Sequence, residues 1–285
     1  MIRTLPTSRT YDFGFRLYIC FYFVFLFAPL LVTCVLAFND SLFPSLPWKG
    51  FTLDWFFSNH AERIGIFHDR INLDSIWVSA RVAFFVTLLS VSVGTCAAFL
   101  FEQEDFPFKS LLYFLMLAPL VIPGVILGIS ILLVSNTLGT ALEDSWRMDV
   151  GILRPGFWLV VLGQFSFITT LVTLVVSARL KKFDTTLEEA ALNLGANRMQ
   201  VIFHITLKFL RPAIIGAAAM AFLMSFENFN TTLFLVGSEA TLPINLYLQV
   251  RDGSTPVINA VSFLLIAGTS LAAMAMLYMS GKSET

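Results

Sequence analysis

Residues 184–207 read DTTLEEAALNLGANRMQVIFHITL. They form a polar, charged, helix-forming insert with Gly195 in its middle, set in a chain rich in phenylalanine, leucine and valine. Leu187, Ala190, Ala191 and Leu194 recur at i, i+3, i+4 and i+7, which puts one small apolar stripe on a short helix. Thr185 with Glu188, and Thr186 with Glu189, both fit the Thr-x-x-Glu capping box, so the helix is expected to start near Asp184. Gly195 is expected to end it, since glycine accepts the left-handed turn of a C-cap. Asn197 can then cap a second helix through RMQVIFHITLKFL, and Pro212 suits the first turn of the next element. The insert therefore reads as a helix–turn–helix. Periodicity leaves two uses open: a helix folded against its own bundle, or a docking element for a soluble partner.

The surroundings of the insert define its setting. Of 285 residues, 57% are hydrophobic and 13% charged, with a mean hydropathy of +0.80. A soluble domain carries about 25% charged residues, so the expected solvent is lipid. A net charge of −1 argues against nucleic-acid binding. Cys20, Cys34 and Cys96 sit in apolar runs without metal-ligand spacing, and no disulfide framework is expected. His60, His68 and His204 are too scattered for a metal site.

Six apolar stretches reach or approach the roughly 20 residues that cross a bilayer. They lie near 16–38, 76–100, 110–134, 156–178, 212–236 and 259–280. No strand alternation of barrel type is present. Backbone groups in lipid must bond internally, which favours helices. The first stretch follows Arg3, Arg9 and Arg16 but exceeds the about 7–15 residues of a signal-peptide core, so it reads as an uncleaved anchor. With the N-terminus inside, the inner segments hold 11 basic residues: Arg3, Arg9, Arg16, Lys109, Arg179, Lys181, Lys182, Arg198, Lys208, Arg211 and Lys282. The outer segments hold 6, Lys49, Arg63, Arg70, Arg147, Arg154 and Arg251, and Arg81 lies near the outer end of the second span. The positive-inside rule thus puts both termini and the insert in the cytoplasm. In the outer loop 39–75, Trp48 and Trp55 are expected to anchor at the membrane interface. Pro119 and Pro123 are expected to kink or break the third span.

EAALNLG, with ITL starting nine residues after its glycine, resembles the EAA motif of binding-protein-dependent ABC importer permeases of type I. Glu189, Ala190, Ala191, Gly195, Ile205 and Leu207 match that motif, and Lys208 stands where its proline is usual. APLLVTCVLAFNDS, WKGFTLDWF, ARLKKFDTTLEEAALNLGA and LMSFENFNTTLFLVG extend the resemblance over nearly the whole chain. It is similar to the second permease subunit of spermidine/putrescine import systems. The expected fold is an all-α membrane protein in one domain, 1–285, with six transmembrane helices. It has a cytoplasmic tail 1–15, a periplasmic loop 39–75 and a cytoplasmic coupling segment 179–211. The resemblance implies a heterodimer with a second permease subunit, two cytoplasmic ATPase subunits and a periplasmic solute-binding protein. ATP and Mg belong to the ATPase, and this chain has no phosphate loop and no cofactor of its own. The implied location is the bacterial cytoplasmic (inner) membrane, in contact with lipid.

Intramembrane polar residues point to a pathway by default. Glu227 is the one acidic residue deep in an expected span, about ten residues, or roughly 15 Å, from the outer end of the fifth helix. Asn230 and Thr231 are expected on its face at i+3 and i+4, and Gln164 at similar depth on the fourth span. A carboxylate with neutral acceptors suits a polyamine, while interhelical bonding to the partner permease is the competing use. Asn228 and Gly124 replace acidic residues common in that subfamily, which leaves another amine, an opine or an amino-acid-like solute open. A membrane scaffold without transport is a more distant alternative, and an intramembrane enzyme lacks a nucleophile–base pair. The orientation is tested by thiol labelling in intact cells. Asn193→Cys should label only from the cytoplasm and Ser145→Cys only from the periplasm; the opposite pattern would reverse the topology.

Overall fold

Pro123 removes a backbone donor in the middle of an apolar run, and the helix stops there. In the computed structural model, which describes residues 9–44, 46–60, 63–146, 150–253 and 256–281, the third expected span is two helices. The elements in chain order are α1 (Arg9–Leu36), α2 (Asp54–Phe57), β1 (Asn59–His60), β2 (Arg63–Ile64), α3 (Arg70–Gln103), α4 (Lys109–Val121) and α5 (Gly124–Trp146). A 3-10 turn (Gly151–Leu153) then leads to α6 (Phe157–Leu180), α7 (Thr186–Asn193) and α8 (Arg198–Val201). A π-helix (Ile202–Thr206) joins α8 to α9 (Leu207–Phe226), followed by α10 (Thr232–Leu235), α11 (Leu242–Gly253) and α12 (Val257–Gly281). Arg3, Arg147 and Lys282 of the basic-residue tally, and most of the tail 1–15, lie outside the described residues.

Among the described residues five helices are long and apolar enough to cross a membrane: Thr10–Leu36, Arg70–Gln103, Gly124–Ser145, Phe157–Leu180 and Arg198–Phe226. Lys109–Val121 and Val257–Leu271 are shorter apolar helices. The fifth stretch differs most from expectation. It begins 14 residues early, at Arg198, and ends at Phe226, ten residues short of 236. Pro212 lies inside α9 and does not start it. Its missing N–H leaves the Lys208 carbonyl without a helical donor, one turn after the π-helix.

The chain falls into two compact units, residues 74–247 and residues 1–73 with 248–285. In the first, α6 is central. It is apolar on every side, as a buried helix is, and 56% of its apolar window is buried. Val78, Val82 and Val86 of α3, Leu159, Val161, Ile168, Val172 and Val176 of α6, and Leu210, Ala217 and Ala221 of α9 form one core. Ala217 and Ala221, both fully buried, let α9 approach α6 closely, the packing that small residues provide where burial alone gives no drive. Interhelical hydroxyls add to it: Thr169 Oγ1 donates to Ser90 Oγ at 3.2 Å and Thr170 Oγ1 to the Met116 carbonyl at 2.7 Å.

In the other unit, Phe38, Phe56 and Phe263 cluster at centroid distances of 5.0–5.9 Å, joining the loop after α1 to α12. Trp55 is 3% exposed, and its indole N–H donates to the Asn39 carbonyl at 2.9 Å. It is therefore a core residue of the loop and not an interfacial anchor, a role still open to the half-exposed Trp48. Its buried N–H needed a partner and found a backbone one. Arg63 binds Asp40 and Asp54 at 2.5 and 3.1 Å and lies over Trp55. The two carboxylates, led by Asp40, which accepts a hydrogen bond from the guanidinium, raise the Arg63 pKa above its ordinary value.

Gly128 on α5 sets how closely the segment after α9 can approach. A Cβ there would lie 2.7 Å from the Thr231 carbonyl oxygen and 3.3 Å from its Cα. Gly124, one turn earlier, would meet Asn230 Cβ at 3.0 Å. Gly128→Ala should therefore lower the melting temperature in detergent, by an overpacking cost of about 1–3 kcal/mol. Gly216→Ala on α9 meets nothing within 4 Å and should leave it unchanged or higher. Equal melting temperatures would sink the close-approach reading.

Candidate functional site

Two sites occupy the two ends of the rod formed by α8, the π-helix and α9. At one end is the insert. Its first helix is started by Asp184, whose carboxylate accepts from the Thr186 N–H at 3.0 Å and the Thr186 hydroxyl at 2.7 Å. Those bonds hold the Asp184 pKa below its ordinary value. The two expected Thr-x-x-Glu boxes do not form: Thr185 is the N-cap residue but its side chain makes no cap bond. Glu188 turns instead to Thr206, whose Oγ1 donates to it at 2.6 Å.

The helix ends as expected at Gly195. Its N–H bonds the Leu192 carbonyl at 3.0 Å, and the Ala196 N–H bonds that of Ala191 at 3.1 Å. This paired closure is the Schellman arrangement. It requires the positive φ that Gly195 shows, +89°. Asn197 caps α8 in a full capping box with Gln200, at 2.8 and 2.9 Å. Before the insert, Phe183 packs on Phe209 at 5.2 Å and Arg179 lies over the same ring at 4.1 Å.

No residue of α7 is buried. Leu187 and Leu194 of the expected stripe are 51% and 89% exposed, so the stripe is not folded against the chain's own bundle. Glu189, Ala190 and Gly195 are exposed and Ala191 is half-buried. Met199 and Phe203 add exposed apolar area beyond the turn. Ile205 packs against the core of its unit, and Leu207 begins α9 half-buried. A clustered apolar surface of this kind suits contact with another protein or with a membrane. Behind α7 is a groove of about 240 Å³ lined by Gln103, Glu104, Glu188, Leu192, Arg198, Val201 and Ile202.

At the other end of the rod the helix breaks. Glu227 is the C-cap residue of α9, its N–H bonding the Leu223 carbonyl at 3.1 Å, and residues 228–230 are not helical. The expected shared face of Glu227, Asn230 and Thr231 therefore does not exist. The 15 Å depth counted along a continuous helix does not apply either. Glu227 and Asn230 are exposed, Asn228 is half-buried and Thr231 is buried. A buried polar chain holds the break. Ser225 Oγ donates to Gln164 Oε1, Gln164 Nε2 donates to Thr232 Oγ1 at 2.8 Å, and Thr232 Oγ1 donates to Asn228 Oδ1 at 2.9 Å. Gln164 is fully buried and both ends of its amide are used within the chain. The structure thus joins Gln164 to Asn228 through Thr232. Ser225 and Thr232 are the members that sequence reasoning missed; the Ser-Phe-Glu-Asn run in an otherwise apolar stretch was their signal. Among the described residues no group of three or more His, Cys, Asp or Glu is placed to hold a metal ion.

The chain is similar to known transport proteins. The chain is 31% identical over 264 residues to the putrescine transport system permease protein PotI of Escherichia coli strain K12, covering 92% of this chain and 89% of that protein. It is 27% identical over 245 residues to the spermidine/putrescine transport system permease protein PotC of Haemophilus influenzae, covering 86% and 87%. A crystal structure of a bacterial ABC transporter involved in the import of the acidic polysaccharide alginate has the same fold, with a TM-score of 0.66 at 12% identity over 98% of this chain and 99% of that one. Residues 90–280 match the family described as binding-protein-dependent transport system inner membrane component. The chain belongs to that family: it is a multi-pass transport component of the inner membrane and not an enzyme.

Proposed function

We propose that this chain is one of two permease subunits of an ATP-driven importer that carries a polyamine, putrescine or spermidine, into the cytoplasm. The observation that carries the reading is the fully surface-lying α7, an apolar docking helix that its own chain leaves uncovered. In this reading six helices cross the membrane with both termini inside, and α7 seats in a cleft on a separate ATPase subunit, which supplies ATP and Mg. Glu189, Ala190, Ala191 and Gly195 make the contact, and Ile205 and Leu207 pass its movement into α9. A second permease covers the apolar face of α1, of whose window 0% is buried within the chain, and a periplasmic binding protein delivers the solute.

From α8 to the end of α9 the rod has 29 residues, about 43 Å at 1.5 Å per residue. Closure of the ATPase at α7 thus reaches the break at Glu227. There the Glu227 carboxylate faces the pathway, with Asn230 beside it, Asn228 and Thr231 shaping the turn, and Gln164 holding the turn in place. A carboxylate on the negative end of a helix dipole attracts an ammonium group. Relatives named for putrescine and spermidine support that substrate class. A second reading, an importer of another cationic amine, opine or amino-acid-like solute, is favoured by Asn228: its Oδ1 is committed to Thr232, which leaves Glu227 the carboxylate at this turn.

Uptake of labelled putrescine by reconstituted complexes, compared at equal assembly, tests both ends of the rod. Glu227→Gln keeps the shape and removes the charge, and uptake should fall severalfold or more; equal rates would discard the cation role. Gly195→Val has open space for its side chain but an unfavourable φ. It should abolish uptake while the chain still inserts in the membrane, and normal uptake at normal expression would remove the docking-turn assignment.

A further inference from the structure

A docking helix that lies on the surface must still push on something. On a helix each residue turns the direction by about 100°, so neighbouring Glu188 and Glu189 serve different faces. Glu189 is exposed beside Leu187 and Ala190, on the side open to a partner. Glu188 is half-buried and lines the groove with Leu192, one turn on. The groove of about 240 Å³ separates this inner face of α7 from Gln103 and Glu104 at the end of α3. α7 meets the rod itself at α8 and the π-helix.

The bond from Thr206 Oγ1 to Glu188 joins α7 to the π-helix at 2.6 Å. Thr206 is fully buried and is the last residue of the π-helix, where the rod widens by one residue before α9. A π-bulge of this kind is frequently found at functional sites. A hydroxyl donating to a carboxylate is charge-assisted and stronger than a neutral pair.

We propose that Glu188 and Thr206 form the tie that converts movement of α7 into movement of α9, making Glu188 a positioning residue that acts through Thr206. The proposal rests on the importer reading above. Glu189, Ala190 and Gly195 of the motif lie exposed on the side open to the ATPase, while Glu188, one position before it, faces the rod. If the tie is broken, α7 still docks but tilts into the groove without pulling α9.

The measurement is the ratio of labelled putrescine taken up to ATP hydrolysed, in reconstituted complexes with binding protein. Loss of folding or assembly lowers both quantities together and leaves the ratio unchanged. Thr206→Val removes the donor at constant shape and should lower the ratio at least fivefold, as should Glu188→Ala. The double variant should be no worse than either single one, because both remove the same bond. Thr206→Ser and Glu188→Gln keep donor and acceptor and should stay within twofold of wild type.

An unchanged ratio in Thr206→Val overturns the tie. So does a Glu188→Gln ratio as low as that of Glu188→Ala, which would make Glu188 a charged contact of the ATPase. A second measurement needs no substrate: the distance between spin labels at Asn193→Cys and Ser238→Cys, with and without ATP and vanadate. The change that trapping produces in wild type should be lost in Thr206→Val, and its persistence overturns the tie. A wild-type complex in which trapping changes this distance but putrescine is not taken up contradicts the polyamine assignment and leaves the tie to be judged on the distance alone. A wild-type complex in which trapping changes nothing overturns both.

Discussion

The amide of Gln164 sits where two helix segments stop inside an apolar unit. Backbone groups released at such a break have no water to turn to in a bilayer, and each costs several kcal/mol if left alone. Asn228 Oδ1 takes the Thr232 N–H, and Gln164 braces the break from the neighbouring helix through side chains. Its oxygen takes the Ser225 hydroxyl at the end of α9, and its nitrogen reaches Thr232 at the start of α10. Asn228 closes the turn onto Thr232. Gly124 and Gly128 then give the turn its seat, because α5 presents no side chain there to residues 230–231. The break is thus built by two neighbouring helices, and it frees Glu227 and Asn230 at the surface.

The same helix carries the insert at its other end. Fully buried Ala217 and Ala221 hold α9 against α6 along its middle. α6 is the fixed partner: it supplies Gln164 to the break, and through Arg179 it reaches Phe209 at the start of α9. A single helix pair therefore contains the break, the shaft and the root of the docking segment.

The parts legible in the sequence were those with a local cause. Gly195 and Asn197 showed the turn and the second cap, because a positive φ and an Asx cap are each chosen by one residue type. Pro123 showed the end of α4, because a proline imposes extended geometry on the residue before it; Ile122 has φ −73° and ψ 128°. The parts that were not legible depend on distant partners. Glu188 fits a capping box by spacing, yet a hydroxyl 18 residues away takes it. Trp55 has the composition of an interfacial anchor, yet a carbonyl 16 residues back draws it inside. The end of α9 has no glycine or proline. Its cause is Gln164 on another helix, so the apolar run read as one continuous span. The positions of the polar residues there relative to one another followed from the break and not from helical spacing.

The break also bears on the charge of the solute. A carboxylate in mid-helix, facing lipid, costs about 2.5–3.5 kcal/mol on insertion scales. Ending the helix at Phe226 places Glu227 at a helix end instead, exposed on this chain. It carries a different cost, since the last carbonyls of α9 already give that end a partial negative charge of about half an elementary charge. A carboxylate added there is repelled by its own helix. Half-helix C-terminal ends that coordinate cations in other transporters resolve the same conflict with a bound positive charge. Among the described residues, the Arg and Lys residues that form ion pairs in this unit do so with Glu239, Asp105, Glu143 and Glu102. An ammonium group in passage would therefore relieve a repulsion that the fold itself creates, whereas an anionic solute would deepen it.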